Sequence, residues 1–256
     1  MEFITGTSSG LGYGLAKYLL QKGHFVAGMS RRPSPLNHEF PDLYFHQECD
    51  LANLAELPAR LRQYYQLLRE RLSGPNSAPL KRNKDGKITI HRTWLNAGIL
   101  GRIDDLQNTR LSELQKITDV NLWANKLLID SLNSPDCPFF SEHIVGISSG
   151  ASVNGHRGWA GYSISKAALN MLIKLYSEEL PDVHFISLAP GLIDTDMQET
   201  ISGLEDTDTF PALKRLQQAR GTENMPQPLE AASRILNKWD QIAASASGSF
   251  LDVRKI

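Results

Sequence analysis

Seven short apolar runs, each ending in polar or glycine-containing residues, alternate along the chain with longer segments whose apolar residues recur every three or four positions. This alternation is the signature of β-α units. It restricts the chain to a mostly parallel sheet covered by helices on both faces. The periodicity predicts strands at 2–5, 25–30, 43–46, 88–95, 144–148, 184–189 and 249–252. Helices are predicted at 11–21, 54–72, 111–132, 162–179 and 229–239. With 256 residues, 41% of them hydrophobic, the chain can bury a substantial core. The expectation is a single α/β domain over residues 1–256, doubly wound around about seven mostly parallel strands.

Two stretches break the pattern. Residues 73–87, rich in glycine, proline, asparagine and lysine, read as an inserted exposed loop. Its run of Lys81, Arg82 and Lys84 is short and has no interleaved aromatics, so a solvated loop is favoured over a nucleic-acid arm. Residues 196–227 are polar and interrupted, lie before the last helix, and are expected to form a lid over a substrate. A net charge of -1 and a pI near 6.7 give no general attraction to nucleic acid or to an anionic membrane. Cys49 and Cys137 lack CxxC spacing, so neither a disulfide framework nor a zinc site is indicated, and no metal is expected. The apolar run starting at Phe3 leaves no room for a signal peptide, and no run is long enough to span a bilayer. The expected setting is the cytoplasm.

Between the first strand and the first helix lies Gly6-Thr7-Ser8-Ser9-Gly10-Leu11-Gly12. Glycines allow a tight turn and close backbone approach, and the N–H groups at a helix start favour a pyrophosphate. Ser8 and Ser9 add hydroxyl donors. The spacing Gly-x3-Gly-x-Gly departs from the G-x-G-x-x-G dinucleotide fingerprint. The second strand ends in Ser30-Arg31-Arg32. A site preferring NAD would commonly place an acid there for the ribose 2′-hydroxyl. Serine and two arginines instead supply donors and charge for the 2′-phosphate of NADP(H).

Tyr162 and Lys166 stand four residues apart at the start of a predicted helix and share a face. A free tyrosine titrates near pH 10, and a neighbouring ammonium favours its phenolate, which would make Tyr162 an acid/base near neutrality. Upstream, an apolar strand runs into Ser148-Ser149 at the sheet edge where open α/β folds bind ligands.

The order Thr5-Gly6-x3-Gly10-x-Gly12, Asp50-Leu51, Asn96-Ala97-Gly98, Asn121, Ser149, Tyr162-x3-Lys166 and Pro190-Gly191 resembles the short-chain dehydrogenase/reductase family. The resemblance runs from residue 4 to about residue 252 and implies a Rossmann-type fold. The stretch from Ile147 to Tyr162 looks like the subgroup of sepiapterin reductase and the benzil reductases, with Trp159 placed to wall an aromatic pocket. Two departures stand out: Leu95 replaces the first asparagine of the usual Asn-Asn-Ala-Gly motif, and the 73–87 loop is inserted.

The resemblance implies a catalytic tetrad of Asn121, Ser149, Tyr162 and Lys166. The family's serine stands thirteen positions before its tyrosine, which selects Ser149 over Ser148. Asp50 and Leu51 are implied at the adenine, Asn96, Ala97 and Gly98 at the ribose, and Pro190, Gly191, Ile193 and Thr195 at the nicotinamide. Tyr162 and Lys166 would also touch the ribose. The implied activity is NADPH-dependent reduction of a small ketone or vicinal dicarbonyl, with Asn121 holding a water that links Lys166 to solvent. Alternatives are a 3-oxoacyl-carrier-protein reductase and a non-enzymatic NADP(H)-sensing protein. The helices at 111–132 and 162–179 imply a homodimer, with a tetramer as the second choice.

Overall fold

The structure is a computed structural model and describes residues 1–74 and 80–256. Seven strands form one sheet: β1 (Glu2–Thr5), β2 (Val26–Ser30), β3 (Tyr44–Glu48), β4 (Ile88–Leu95), β5 (Phe139–Ile147), β6 (His184–Ala189) and β7 (Ser249–Asp252). Their spatial order is β3-β2-β1-β4-β5-β6-β7, and every pairing is parallel. The order reverses between β1 and β4, which opens a crevice at the C-terminal ends of the strands.

Ten α-helices accompany the strands among the described residues: α1 (Gly10–Gln21), α2 (Leu36–Glu39), α3 (Leu57–Leu72), α4 (Leu111–Thr118), α5 (Ala124–Asn133), α6 (Ala160–Glu179), α7 (Asp196–Ser202), α8 (Pro211–Ala219), α9 (Pro228–Asn237) and α10 (Trp239–Ala243). One face of the sheet packs on α3, α5 and α6 through Phe3, Phe139 and Phe185, all fully buried. The other packs on α1, α9 and α10 through Ile4, Trp94 and Ile186. A fully buried phenylalanine or isoleucine contributes about 1.5–3 kcal/mol. Both sheet faces are covered, which explains why the strands read as continuous apolar runs.

Polar chemistry also fixes the sheet. Glu2 at the start of β1 is buried and accepts from Arg92 Nε at 2.9 Å and Nη2 at 2.7 Å, with Trp94 Nε1 at 3.3 Å. The Arg92 guanidinium lies over the Trp239 ring at 4.6 Å.

Several predicted boundaries move. The fifth strand starts at Phe139 rather than 144, because its polar first half pairs with the extended start of β4, Ile88 opposite Phe139. α3 starts at Leu57, where Pro58 fits the first turn, rather than at 54. The predicted helix 111–132 is interrupted by a π-helical turn, Asp119–Trp123. Of the 73–87 loop, 75–79 lie outside the described residues. Its distal part is a turn in which Asn83 Oδ1 accepts from the Asp85 and Lys87 amides. No helix among the described residues is long and apolar enough to cross a membrane.

Candidate active site

One cavity of about 870 Å³ opens at the C-terminal ends of β1, β2, β4, β5 and β6, between the sheet and the helices that follow β6. Every residue singled out from the sequence lines it except Gly12 and Asn121.

The glycine-rich turn leaves β1 and enters α1 at Gly10, with Ser9 extended before it and no side chain capping the first turn. The free first-turn amides are donors that a pyrophosphate can take. Gly6 adopts φ 78°, a backbone conformation strained for other residues. Gly12 faces the turn instead of the cavity, and a Cβ there would collide with the Gly6 carbonyl and the Asn96 side chain. Gly12 therefore serves the close packing of the turn. The Thr5 hydroxyl accepts from the Asn96 and Ala97 amides at 3.0 and 3.1 Å, which holds the 96–98 loop beside the turn. Leu95 is fully buried in the core, so the family departure there is a packed strand residue.

At the end of β2, Arg31 and Arg32 are exposed on the cavity rim. Ser30 lines the cavity too, but its hydroxyl donates to the Arg32 carbonyl at 2.8 Å and sits 2.7 Å from His46 Nε2. Having spent its one proton, Ser30 accepts from His46, whose pKa burial pushes down to about 4 and whose ring is therefore neutral. His46 was not singled out from the sequence, since nothing short of the β2–β3 pairing places it beside Ser30. Asp50 is exposed and its carboxylate accepts from the Ala52 amide at 3.0 Å.

Ser148 and Ser149 follow β5 and separate in role. The Ser148 hydroxyl turns away to Asn170 Oδ1 at 2.6 Å. Ser149 Oγ accepts from the Ala151 amide at 3.1 Å and faces Tyr162, whose phenolate it favours. Burial outweighs that effect and raises the Tyr162 pKa. The expected lowering by Lys166 is therefore corrected: the Lys166 ammonium donates to the Ile147 carbonyl at 2.7 Å and stands 5.7 Å from the Tyr162 ring centre. Lys166 is itself buried, and loss of solvation pushes its pKa down to about 8.

Asn121 sits in the π-turn behind the cavity wall, fully buried. Its side chain is committed: Oδ1 accepts from the Ile99 amide at 2.8 Å, while Nδ2 donates to the Ile99 carbonyl at 2.9 Å and to Ser165 Oγ at 3.0 Å. Its main-chain carbonyl accepts from Asn125 Nδ2 at 2.9 Å. Asn121 thus clamps the loop after β4 to α6, close to Gly98 and Lys166.

Part of the remaining wall is apolar. Trp159 packs edge-on to Tyr162 with ring centres 6.3 Å apart, and joins Leu100, Ile201, Leu213 and Leu216 in a separate buried cluster. The last three come from α7 and α8, and of these Ile201 and Leu216 line the cavity. Further lining residues that the sequence did not flag are His156, Arg215 and Arg254. Away from this cleft the fold gathers His91, Glu142 and His143, whose ligand-type atoms lie within 4.8 Å of one another, although His91 stands 51 residues before Glu142.

Residues 87–205 match the short chain dehydrogenase family. The chain is 31% identical to the benzil reductase ((S)-benzoin forming) of Bacillus subtilis, over 100% of this chain and 98% of that protein. It is 32% identical to the sepiapterin reductase of Meriones unguiculatus over 61% of this chain and 62% of that one. A crystal structure of a short-chain dehydrogenase/reductase from Saccharomyces cerevisiae shares the fold, with TM-score 0.78, 23% identity, and coverage of 98% of this chain and 94% of that one. An identity above three in ten across the whole length, a seven-stranded parallel sheet and a cleft lined in the family's order agree, and the chain belongs to the short-chain dehydrogenase/reductase family of oxidoreductases.

Proposed function

We propose that the chain reduces a small ketone or vicinal dicarbonyl to an alcohol with NADPH, using Tyr162 as the general acid. The observation that carries this reading is that Ser149, Tyr162 and Lys166 line the same cavity as the uncapped start of α1 and the 190–195 segment. When bound, the nicotinamide supplies hydride to the carbonyl carbon. Tyr162, kept protonated by its burial, donates its phenolic proton to the developing alkoxide. Ser149 orients and polarises the carbonyl oxygen. Lys166 holds ribose hydroxyls and restores the tyrosine proton. Asn121 acts as a positioning residue: its clamp on Ile99 fixes the loop against which Lys166 lies.

Arg31 and Arg32 favour NADPH, because both are exposed on the rim where the adenosine 2′-phosphate would lie, Arg32 held there by Ser9 and Asp196. The apolar wall of Trp159, Ile201 and Leu216 suits an aryl or alkyl ketone. The benzil reductase relative supports vicinal dicarbonyls in particular. Residues 196–227 serve as the lid, and α4 to α6 as the homodimer face, where Leu111, Trp123, Met171 and Leu175 are exposed. Cofactor oxidation followed at 340 nm with benzil, other diketones and simple ketones tests the activity. Absence of turnover on the whole panel with either NADPH or NADH would refute it.

A further inference from the structure

Beyond the reacting centre, the charge on the cavity wall is one-sided. Among the described residues its only acidic lining residues are Asp50 and Asp196. Asp196 pairs with Arg32 at 3.5 Å, and Asp50 lies beside the β3 end, on the cofactor side. Arg215 and Arg254 line the same cavity away from those acids. Arg215, on the second lid helix, meets the His156 ring, Nη2 to Nε2 at 3.4 Å, and has no carboxylate partner among the described residues.

Arg254 follows β7 and is held in place from behind. Asp252 accepts from its Nε at 2.9 Å, from its Nη2 at 2.6 Å and from its backbone amide at 3.0 Å. This two-point contact fixes the guanidinium plane and leaves Nη1 without a partner among the described residues. The side chain runs along the two loops that border the reacting centre. Its Cδ lies 3.4 Å from where a Cβ on Gly191 would stand, and its Nη2 lies 3.7 Å from the same position on Gly150, the residue after Ser149. The side chain thus lies at van der Waals distance from both loops. A cation aligned beside the catalytic serine, with donors facing open space, is built to receive an anion.

We propose that the substrate carries a carboxylate next to its carbonyl, held by Arg254 and assisted by Arg215. This rests on the carbonyl-reductase reading above and narrows its substrate to 2-oxo acids with an apolar side chain. The carboxylate takes the outer donors of Arg254, the ketone oxygen lies between Ser149 and Tyr162, and the apolar group meets Trp159 and the lid helices. Lid closure brings Arg215 over the bound anion, which couples the charge of the substrate to closure.

The test compares benzoylformate with methyl benzoylformate, in which methylation removes the charge of the acid group, using NADPH and NADH in parallel. The ester carbonyl is intrinsically the more electrophilic, so KM rather than kcat is the readout. The wild-type KM for the acid should be lower than for the ester by on the order of 10-fold or more, as for a charge-assisted contact. Arg254→Gln should shrink that ratio by a similar factor, Arg215→Gln by less, and Arg254→Lys should restore part of it. A wild-type KM for the ester equal to or below that for the acid overturns the proposal, and so does an unchanged ratio in a folded Arg254→Gln protein. Should that variant not fold, the wild-type ratio and Arg215→Gln decide. Reduction of the ester or of benzil without acid preference would leave the reductase reading intact, whereas no reduction of any of them would remove that reading instead.

Discussion

The Nη2 group of Arg32 donates to the hydroxyl of Ser9 across 3.1 Å, tying the end of β2 to the turn that opens α1. The guanidinium therefore stands between the two places where the phosphates of a dinucleotide would lie. Arg31, beside it on the rim, is the second candidate.

Steady-state kinetics with both cofactors should show higher kcat/KM for NADPH than for NADH. Arg32→Ala should lower the NADPH value by about 10- to 100-fold, as loss of a charge-assisted contact does, and Arg31→Ala should lower it less. The NADH value should change little. Equal efficiency with both cofactors in the unmodified protein would exclude these arginines as phosphate ligands.

Tyr162→Phe removes one hydroxyl and leaves the ring packed against Trp159. Turnover should drop by roughly 10²–10⁴-fold, the range for a lost acid/base group, while NADPH titration by fluorescence stays near the original Kd. Substantial residual activity would rule out Tyr162 as the acid.

Lys166 gives the pH profile its sign. Its pKa is pushed down to about 8 by burial, so the ammonium is present below that value and lost above it. Carbonyl reduction should be level on the acid side and fall as pH rises through about 8. A rate that stays level well into the alkaline range would show that the Lys166 charge plays no part.

Stability should move in the opposite sense with acid. The His46 pKa is depressed to about 4 from 6.5, so the folded state resists a proton that the unfolded chain accepts. Stability from this group is whole above pH 6.5 and is lost as pH falls towards 4. Urea midpoints across that window should decline, and less steeply in His46→Gln; parallel slopes in the two proteins would assign the decline to other groups.

The α7–α8 segment already buries Ile201, Leu213 and Leu216 against the cleft. Adding NADPH and a non-reducible ketone analogue should slow amide exchange across residues 196–227. Unchanged protection under saturating ligand would mark this segment as a fixed wall.

How much of this was legible beforehand depended on locality. The strands at 2–5, 88–95, 184–189 and 249–252 match the structure because apolar runs with polar ends carry their own boundaries. The first half of β5 was missed because Ser141, Glu142 and His143 look like a loop until β4 pairs with them. The cleft residues were found by their order along the chain, but their partners were not. Asn121 was found by its place in that order, but the π-turn that sets its side-chain amide against Ile99 is not visible in sequence. Arg254 carried no signal, since only the return of β7 beside β6 brings it to the loops of Gly150 and Gly191.

The buried pair between Glu2 and Arg92 has a consequence for the order in which the chain can assemble. β1 can add β2 and β3 from local sequence, but its other edge waits for β4, 90 residues further on. Until then the Glu2 carboxylate lacks the two-point hydrogen bonding that Arg92 supplies, and docking β1 into an apolar environment would leave that carboxylate poorly satisfied. Premature closure on a wrong strand is thereby disfavoured, and a contact of such long sequence separation makes completion of the sheet a late and slow event, gated by a single arginine.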